Sequence, residues 1–391
     1  MLGHVEREQL LLTDGRYRRR HCDEQEHDSQ REESDSPSGD GLFSARQGAG
    51  AHPIGGRDDG DWHQLERIEC PARQQRHRGH GGHCRAHTLG VVAGRRQTYA
   101  EAGVSLAIGE AVVERLRVVV ESTGASGFGA FAGLHPLDEH RLLAASTDSV
   151  GTKLVLARER GQLRACGADL AAHCINDVAT TGADPLIFLD YVAANRIELE
   201  QVAELVEGAA EVCRAAGVAL VGGETAELPG IYREHEIDFA GTCVGVVERD
   251  RVIDGSRVAE GDAVIGLHSA GVHANGFTLV RRVLGEEDYR GDDLLAPTRC
   301  YLDDVRRLRD RAVTFAHVTG GGIEGNLSRV VPDGLRVRVD WDAWERPPVF
   351  DWLARHVAEE ELRRVFNLGI GYCAVVPDPG GELVIGRIER E

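Results

Sequence analysis

From Thr98 onward, apolar and polar residues follow the periods of regular secondary structure. AGVSLAIGEAVVERLRVVVEST has apolar residues at helical spacing, and a glycine-rich turn follows it. A second amphipathic segment, IELEQVAELVEGAAEVCRAAG, ends at a glycine, which is a common helix stop. Apolar runs typical of strands separate and follow these helices: RLLAAS, LIFLDYVAA, VALVGGETAELPG and IDFAGTCVGVVERD. This alternation predicts an α/β or α+β domain that extends to about Gly261.

A second set of elements begins at Asp262. DAVIGLHSAGVHANGFTLVRRVL predicts a strand, a turn containing glycine and histidine, and a helix. VTFAHVTGGGIEGNLSRVV predicts a strand followed by a helix that opens at glycines, and further strands are predicted at LRVRVD, IGYCAVV and LVIGRI. We therefore predict two folded domains, residues 98–261 and residues 262–391.

Residues 1–97 have a different composition. They contain nine of the 17 histidines, nearly equal numbers of acidic and basic residues, and no sustained apolar periodicity. Such a segment cannot bury enough apolar surface to offset its chain entropy. The stretch RHRGHGGHCRAH has the spacing of a metal site, but biased composition alone produces such clusters. We interpret residues 1–97 as a disordered extension, or as the product of a start codon assigned too far upstream.

Charge and cysteine content narrow the possible functions. The net charge of −19 argues against nucleic acid as the main partner, and an acidic protein that binds a nucleotide usually needs a divalent metal. No apolar run is long enough to cross a bilayer, and the charged N-terminus lacks the apolar region of a signal peptide. Nine cysteines without a two-residue-spaced pair argue against a zinc ribbon or a disulfide scaffold. We expect a cytoplasmic protein that does not bind membranes.

One lysine, Lys153 in STDSVGTKL, stands among 45 basic residues that are otherwise all arginine. Lysine is a compact charge on a flexible stem that reaches between phosphate oxygens, whereas the guanidinium group is a wide planar fork. Because Asp148, Gly151 and Thr152 lie next to Lys153, the pattern suggests a phosphate site. The alternative is chance in an arginine-rich sequence. If the ammonium contacts phosphate, Lys153→Arg should keep the fold and lose at least about tenfold in turnover.

A polar stripe follows one face of the helix predicted in GADLAAHCINDVATTGADP, with Asp169 as its cap. Asp169, His173, Asn176 and Thr180 step by four, three and four residues, and Asp177 lies at the border of the stripe. Such a stripe between buried strands either needs polar partners or forms an exposed face.

Carboxylates converge with this stripe at the ends of the predicted strands. Asp148, Asp177 and Glu224 lie at strand ends or on the adjoining helix, with Thr225 next to Glu224. Scattered carboxylates of this kind suit a nucleotide bound with Mg²⁺, which takes one or two carboxylates plus phosphate oxygens and water.

The glycine-rich stretches exclude the two commonest nucleotide-binding motifs. GFGAFAG lacks the final spacing of a dinucleotide fingerprint, and SVGTK lacks the upstream glycine of a Walker loop. VTGGGIEGN opens a predicted helix, where free N–H groups favour an anion. SAGVHANGF brings His273 and Asn275 to another helix start, where a histidine is either a hydrogen-bonded turn residue or a catalyst.

Nine motifs in one order resemble the phosphoribosylformylglycinamidine cyclo-ligase (aminoimidazole ribonucleotide synthetase) family of purine biosynthesis. The resemblance covers about three quarters of the chain, from Thr98 to near Arg387. The motifs are TDSVGTKL, GADLAAHCINDV, PLIFLDY, VGGETAELPGIY, GTCVGVVERD, SAGVHANGF, LLAPTR, HVTGGGIEGNLSRV and VFNLGIGY.

This resemblance implies an ATP-dependent ring closure. ATP activates the formyl amide oxygen of formylglycinamidine ribonucleotide, an amidine nitrogen attacks the carbon, and ADP and phosphate are released. The implied fold has two α/β domains and forms a homodimer through the first-domain sheets, with the active site near that interface.

The resemblance also implies roles for individual residues. Asp148, Asp177 and Glu224 would hold Mg²⁺ at the ATP phosphates, and Lys153 would neutralise phosphate charge. The catalytic set would be Lys153, Asp148 and His273. The remaining implied contacts are with the nucleotide and metal shell (Asp169, Asn176, Thr225, Asn275) and with the substrate or cleft (Gly127, Gly129, Asp190, Gly223, His273).

Two departures from the family pattern carry structural expectations. The glycine-rich loop is shorter than in the family, and no helix is predicted between the last two strands, where the family has one. We expect the missing helix to uncover one face of the second sheet.

Two alternative functions stay open. The first is another ATP-dependent enzyme of the superfamily, such as thiamine-monophosphate kinase, the preceding synthetase or selenophosphate synthetase. The second is an inactive scaffolding paralogue.

Overall fold

The computed structural model describes residues 96–124 and 128–391, which belong to one compact unit. The predictions for the N-terminal extension, for its histidine-rich stretch and for Gly127 therefore lie outside the described residues, apart from the last two residues of the extension. Within the described part, no helix is long and apolar enough to cross a membrane.

The helices follow the predicted positions for most of the chain. Four short helices were not predicted, at Lys153–Glu159, Leu302–Leu308, Pro348–Ala354 and Glu359–Val365. In chain order the helices are α1 (Leu106–Glu121), α2 (Lys153–Glu159), α3 (Leu163–Ala179), α4 (Leu199–Ala216), α5 (Phe277–Leu284), α6 (Leu302–Leu308), α7 (Gly322–Leu327), α8 (Pro348–Ala354) and α9 (Glu359–Val365).

The strands form two five-stranded sheets, of which the first is mixed and the second is antiparallel. In the first sheet the order is β1-β2-β5-β3-β4, and only β3 and β4 are parallel. In the second the order is β7-β9-β6-β10-β8, and every pair is antiparallel. The strands are β1 (Gly133–Pro136), β2 (Arg141–Ser149), β3 (Asp184–Ala194), β4 (Ala219–Glu227), β5 (Ile237–Glu248), β6 (Ala263–His268), β7 (Thr314–His317), β8 (Leu335–Val339), β9 (Ile370–Val376) and β10 (Val384–Arg390).

Helix α3 begins well before the predicted cap, Asp169, which is therefore wrong as a helix start: Asp169 lies inside the helix. Gly167, at the start of the predicted segment, also lies inside the helix and is a packing residue. A Cβ on it would lie 1.9 Å from the carbonyl oxygen of Leu205 in α4, and a Cβ on Gly208 would lie 2.0 Å from that of Arg164 in α3. The two glycines let α3 and α4 pack backbone against backbone.

Helix α3 is almost entirely buried and links the two sheets. One side packs on the first sheet, where Leu170 lies over Gly241 of β5. Its other side meets the segment before α6, and a single hydrophobic cluster joins Phe188 and Phe239 of the first sheet to Phe315 and Tyr372 of the second. Polar residues on α3 are thereby enclosed between two layers, where they need partners inside the protein.

The expectation that the missing helix uncovers the second sheet is wrong. Every residue of β9 is buried. Ile323 and Leu327 of α7 and the side chain of Trp344 belong to the cluster that covers Val264 and Ile385. Among the described residues, no large hydrophobic side chain of this sheet is exposed, because α7 and the segment after β8 cover the face.

Candidate active site

Two carboxylate–imidazole pairs meet where β2 and β7 end against α3. Nε2 of His173 lies 3.0 Å from Oδ2 of Asp148, and Nδ1 of His317 lies 2.8 Å from Oδ1 of Asp177. The rings of His173 and His317 meet edge to face with centroids 4.6 Å apart. Ser146 of β2 donates a hydrogen bond from Oγ to Oδ2 of Asp177 at 3.1 Å. The structure thus brings together Asp148 and Asp177, which the sequence predicts for one site.

The two histidines have opposite protonation tendencies. Burial disfavours the charged form of His173, but the carboxylates of Asp148, Asp177 and Asp169 together outweigh it and raise the pKa of His173 to about 9. Burial lowers the pKa of His317 despite its hydrogen bond to Asp177. A neutral His317 must donate its Nδ1–H to the Asp177 carboxylate, which leaves the Nε2 lone pair free. Burial raises the pKa of Asp148, but the neighbouring imidazolium of His173 lowers it. The net effect is a pKa below the usual value.

The polar stripe on α3 finds its partners in the segment that precedes α6. Oδ1 of Asp169 accepts hydrogen bonds from the backbone N–H and the hydroxyl of Thr298, at 2.7 and 2.8 Å. The amide of Asn176 donates to the carbonyl of Arg299 and accepts from the N–H of Tyr301. The prediction that the stripe needs partners is confirmed, and for these two residues the partners are protein backbone and a hydroxyl group.

Lys153 is fully buried at the start of α2. Its ammonium lies 2.7 Å from Oδ2 of Asp169 and donates to the carbonyl oxygens of His273 at 2.8 Å and Ala296 at 3.0 Å. These three acceptors match the three N–H groups of an ammonium. The predicted contact with phosphate stays a prediction, but the observed contacts give this lysine a structural role at the junction of the two sheets.

His273 and Asn275 lie in the turn between β6 and α5. His273 has a φ of 66° and is buried, and its Nε2 accepts a hydrogen bond from the N–H of Ala270 at 3.1 Å. Burial, together with the nearby imidazole of His317 and ammonium of Lys153, lowers the pKa of His273 well below its usual value. Asn275 is half-buried and its amide nitrogen faces Gly320.

Asp190 and Gly223 lie further along the first sheet, in the same cross-strand row as Asp148. The register pairs Asp148 with Gly241, Gly241 with Asp190, and Asp190 with Gly223. A Cβ on Gly223 would lie 2.2 Å from Oδ1 of Asp190, so glycine is required for the carboxylate to lie over β4. Burial raises the pKa of Asp190.

Glu224 does not join the Asp148 and Asp177 carboxylates within one chain. It lies on the edge strand β4, three strands from β2, which corresponds to about 14 Å at the usual strand spacing. Two ligands of one Mg²⁺ are separated by about 4 Å at most. Glu224 and its neighbour Thr225 therefore cannot share one Mg²⁺ with Asp148 and Asp177 within a single chain, and their predicted roles at the metal and nucleotide stay predictions.

Several site residues were not predicted. His317 lies in the motif HVTGGGIEGNLSRV, whose glycines attracted attention while its histidine, at the end of a predicted strand, did not. Arg329 of the same motif donates hydrogen bonds to the carbonyls of Gly129 and Ala130, at 3.0 and 3.2 Å, and its guanidinium stacks 4.1 Å from the ring of Phe131. Arg329 thereby fixes the end of the glycine-rich loop next to α7.

The donor set fits Mg²⁺ at Asp148 and Asp177. Each carboxylate uses its oxygens for single hydrogen bonds to His173, Ser149, His317 and Ser146, and so keeps lone pairs for a cation. The side chain of Asp148 is 36% exposed, which leaves it accessible from solvent. One or two carboxylates are what Mg²⁺ commonly takes from a protein when phosphate oxygens and water complete its shell.

Comparisons with known proteins match this chain over both sheets. The model described as AIR synthase related protein, N-terminal domain, matches residues 129–247, and the corresponding C-terminal domain model matches residues 259–391. The phosphoribosylformylglycinamidine cyclo-ligase of Synechococcus sp. (strain CC9605) is 46% identical and covers 73% of this chain and 90% of its own length. The protein of the same name from Sorangium cellulosum (strain So ce56) is 47% identical over 71% of this chain and 88% of its own length.

Solved structures extend the likeness at the level of the fold. Thiamine monophosphate kinase from Aquifex aeolicus has a TM-score of 0.52 at 16% identity and covers 73% of this chain and 96% of its own. Thiamine-monophosphate kinase from Stenotrophomonas maltophilia K279a has a TM-score of 0.50 at 18% identity, with coverage of 72% and 94%. At such identities the similarity concerns the fold alone.

Proposed function

Because this chain belongs to the AIR synthase related protein family, we propose that it converts formylglycinamidine ribonucleotide into aminoimidazole ribonucleotide with consumption of ATP. The relatives at 46 and 47% identity carry the name of that cyclo-ligase and are matched over about nine tenths of their length. The observation that supports the proposal most directly is the cluster of Asp148, Asp177, His173 and His317 at the junction of the two sheets. The need for ATP favours the cytoplasm as the proposed location.

The chemistry asks the protein mainly to position charges. An amide oxygen is a poor leaving group, and phosphorylation by ATP converts it into a good one. Phosphoryl transfer depends on alignment and on neutralisation of the phosphate charge. Asp148 and Asp177 would hold Mg²⁺, which supplies positive charge at the phosphates when bound. The hydrogen bonds from His173, His317 and Ser146 fix the orientation of both carboxylates before substrate arrives.

Ring closure releases a proton when the amidine nitrogen attacks the activated carbon. His273 is not suited to accept it, because its Nε2 already accepts the N–H of Ala270 and burial lowers its pKa, so the departing phosphate carries this proton and the Nδ1–H of His273 is the group that can donate to a bound ligand. Nδ1 of His273 is buried and has no hydrogen-bond partner among the described residues. We propose that Asn275, Gly129, Asp190 and Gly223 contribute to the nucleotide and substrate cleft around this histidine.

Lys153, Asp169 and Asn176 would act on this site indirectly. Their polar groups bond the segment from Ala296 to Tyr301 and the backbone of His273 itself. In this proposal they fix the second sheet against the first, and so determine how the turn carrying His273 faces the carboxylates.

We further propose a homodimer formed by the outer face of the first sheet. That face exposes large hydrophobic side chains, with 50% of Leu186, 39% of Leu189 and 56% of Val221 accessible. Contiguous apolar surface of this kind usually marks an interface. Leu189→Asp together with Val221→Asp should convert the dimer to a monomer in analytical ultracentrifugation. A wild-type protein that sediments as a monomer at micromolar concentration would contradict the dimer.

A coupled assay of ADP release tests the proposed reaction. ATP with formylglycinamidine ribonucleotide should release ADP, and Asp148→Asn should reduce turnover at least about a hundredfold. Asp303→Asn is the matched control, because its side chain is 98% exposed and its ion-pair partner is Arg306, which is not part of the cluster. ADP release with thiamine monophosphate instead would favour a kinase. Binding of ATP without substrate-dependent ADP release would favour a scaffolding protein.

A further inference from the structure

A set of three potential metal ligands lies at the centre of the cluster. Ligand atoms of His173, Asp177 and His317 all lie within 4.8 Å of one another, and all three residues are buried. A tetrahedral zinc ion with bonds of 2.0–2.1 Å separates its ligands by about 3.3 Å. The separations exceed that value by at most about 1.5 Å, so a bound ion would draw the three side chains together by up to that distance.

An unsatisfied nitrogen provides an independent observation. His173 is 4% exposed, and its Nδ1 is buried without any hydrogen-bond partner among the described residues. Its other nitrogen, Nε2, bonds Asp148 at 3.0 Å. Histidines that bind metals commonly have this arrangement, with one nitrogen on the metal and the other bonded to a carboxylate that fixes the ring. A buried polar atom without a partner costs free energy that a bound cation would remove.

The ligand types distinguish this set from a magnesium site. Mg²⁺ prefers oxygen donors, whereas two imidazoles and one carboxylate suit Zn²⁺ and neighbouring transition metals. Three protein ligands would leave a fourth position open to water or substrate.

We propose that His173, Asp177 and His317 form a binding site for a transition-metal dication of the Zn²⁺ class. Asp148 serves as the carboxylate that orients His173, and Asp177 is shared with the proposed magnesium position. Zn²⁺ and Mg²⁺ therefore compete for Asp177, so occupation by Zn²⁺ inhibits the ring closure. The metal site itself does not depend on the proposed reaction.

Metal content tests the site directly. The full-length protein is equilibrated with Zn²⁺, passed through a desalting column and analysed for zinc, and Co²⁺ is used in parallel because four-coordinate Co²⁺ absorbs in the visible region. The double variant His173→Gln/His317→Gln should lose one equivalent of zinc and the Co²⁺ band. His356→Gln is the matched control, because His356 lies beside Glu287 and Glu286 but forms no three-ligand cluster within the part of the chain that the structure describes.

The histidine-rich N-terminal stretch is a second possible source of bound zinc. The variant His80→Gln/His83→Gln/Cys84→Ser should keep the Co²⁺ band that the double variant loses. Retention of the band and the full zinc content by His173→Gln/His317→Gln would overturn the proposal.

Crystals of the wild-type protein soaked in Zn²⁺ keep the test valid if the double variant fails to fold. Anomalous scattering at the zinc edge should show a peak within bonding distance of His173 and His317. Absence of that peak from wild-type crystals would also overturn the proposal. Failure of the ADP-release assay with an intact zinc peak would reject the proposed reaction and leave the metal site standing.

Discussion

Replacement of Lys153 by methionine distinguishes two roles of this lysine: a contact with phosphate and a structural ion pair inside the protein. The ammonium has no solvent exposure and lies 2.7 Å from Oδ2 of Asp169, and among the described residues this oxygen has no hydrogen-bond donor other than its ion-pair partner. Methionine has a similar length and fills the space with apolar atoms. The substitution therefore removes the charge while it disturbs packing little.

The expected loss of unfolding free energy follows from the polar groups that Lys153→Met leaves without a partner. Removal of one partner of a buried ion pair leaves an uncompensated charge and typically costs about 3–5 kcal/mol. Here the Asp169 carboxylate stays buried, and the carbonyls of His273 and Ala296 lose their donor. A loss of about 3–5 kcal/mol is a large part of the stability of a typical protein, about 5–15 kcal/mol. Lys153→Arg should also lose about 1–3 kcal/mol, because the larger guanidinium overfills the site.

Urea unfolding followed by tryptophan fluorescence measures this loss, at fixed protein concentration. The described tryptophans all lie in the C-terminal domain match, which Lys153 joins to α3. In the double variant Lys153→Met/Asp169→Asn, the buried charge is gone, so we expect about 1–3 kcal/mol of stability to return relative to Lys153→Met. Arg390→Met is the matched control, because its ion pair with Glu260 is exposed and should contribute less than about 1 kcal/mol.

The phosphate role predicts the opposite pattern. If the ammonium acts on ATP, Lys153→Arg and Lys153→Met keep the free energy of unfolding within about 1 kcal/mol of wild type and lose turnover at least about tenfold. That result would refute the structural role argued from the buried contacts. An unfolding free energy that drops by several kcal/mol, with no recovery in the double variant, would refute the ion pair as its cause.

Three further predictions concern other contacts. Arg329→Met removes the donors to Gly129, so we expect faster limited proteolysis in the glycine-rich loop and a higher KM with a smaller change in kcat; unchanged proteolysis would contradict the tether. Asn176→Leu leaves its two backbone partners unsatisfied and should cost about 1–3 kcal/mol in urea unfolding, whereas a neutral result would mean that water replaces the amide. Hydrogen bonding from Arg346 lowers the pKa of Glu359 from 4.5 to about 2, so its stabilising effect is complete above pH 4.5 and is lost as the pH falls toward 2. The Tm of Glu359→Gln should therefore fall less steeply than that of wild type over this range, and parallel curves would contradict the assignment.

The amino-acid sequence by itself determined the positions of most helices and strands and the type of chemistry expected at the site. Helices α1 and α4 and the strands from β2 to β10 follow apolar periodicity, which depends on local spacing and is visible without a structure. The predicted proximity of Asp148 and Asp177 also followed from strand ends, because residues at the same edge of a sheet converge.

Tertiary structure decided which of these residues act together. Gly167 signals a helix start in the sequence, but it is glycine because α4 lies against its backbone. Glu224 lies on an edge strand three positions from β2, since the strand order β1-β2-β5-β3-β4 is set by long-range pairing that spacing along the chain does not encode. The two carbonyl acceptors of Lys153, in His273 and Ala296, lie more than a hundred positions away in the chain, so the burial of its charge depends on how the two sheets pack. Local periodicity fixes what each segment becomes, whereas partners distant in the chain decide what each polar side chain contacts.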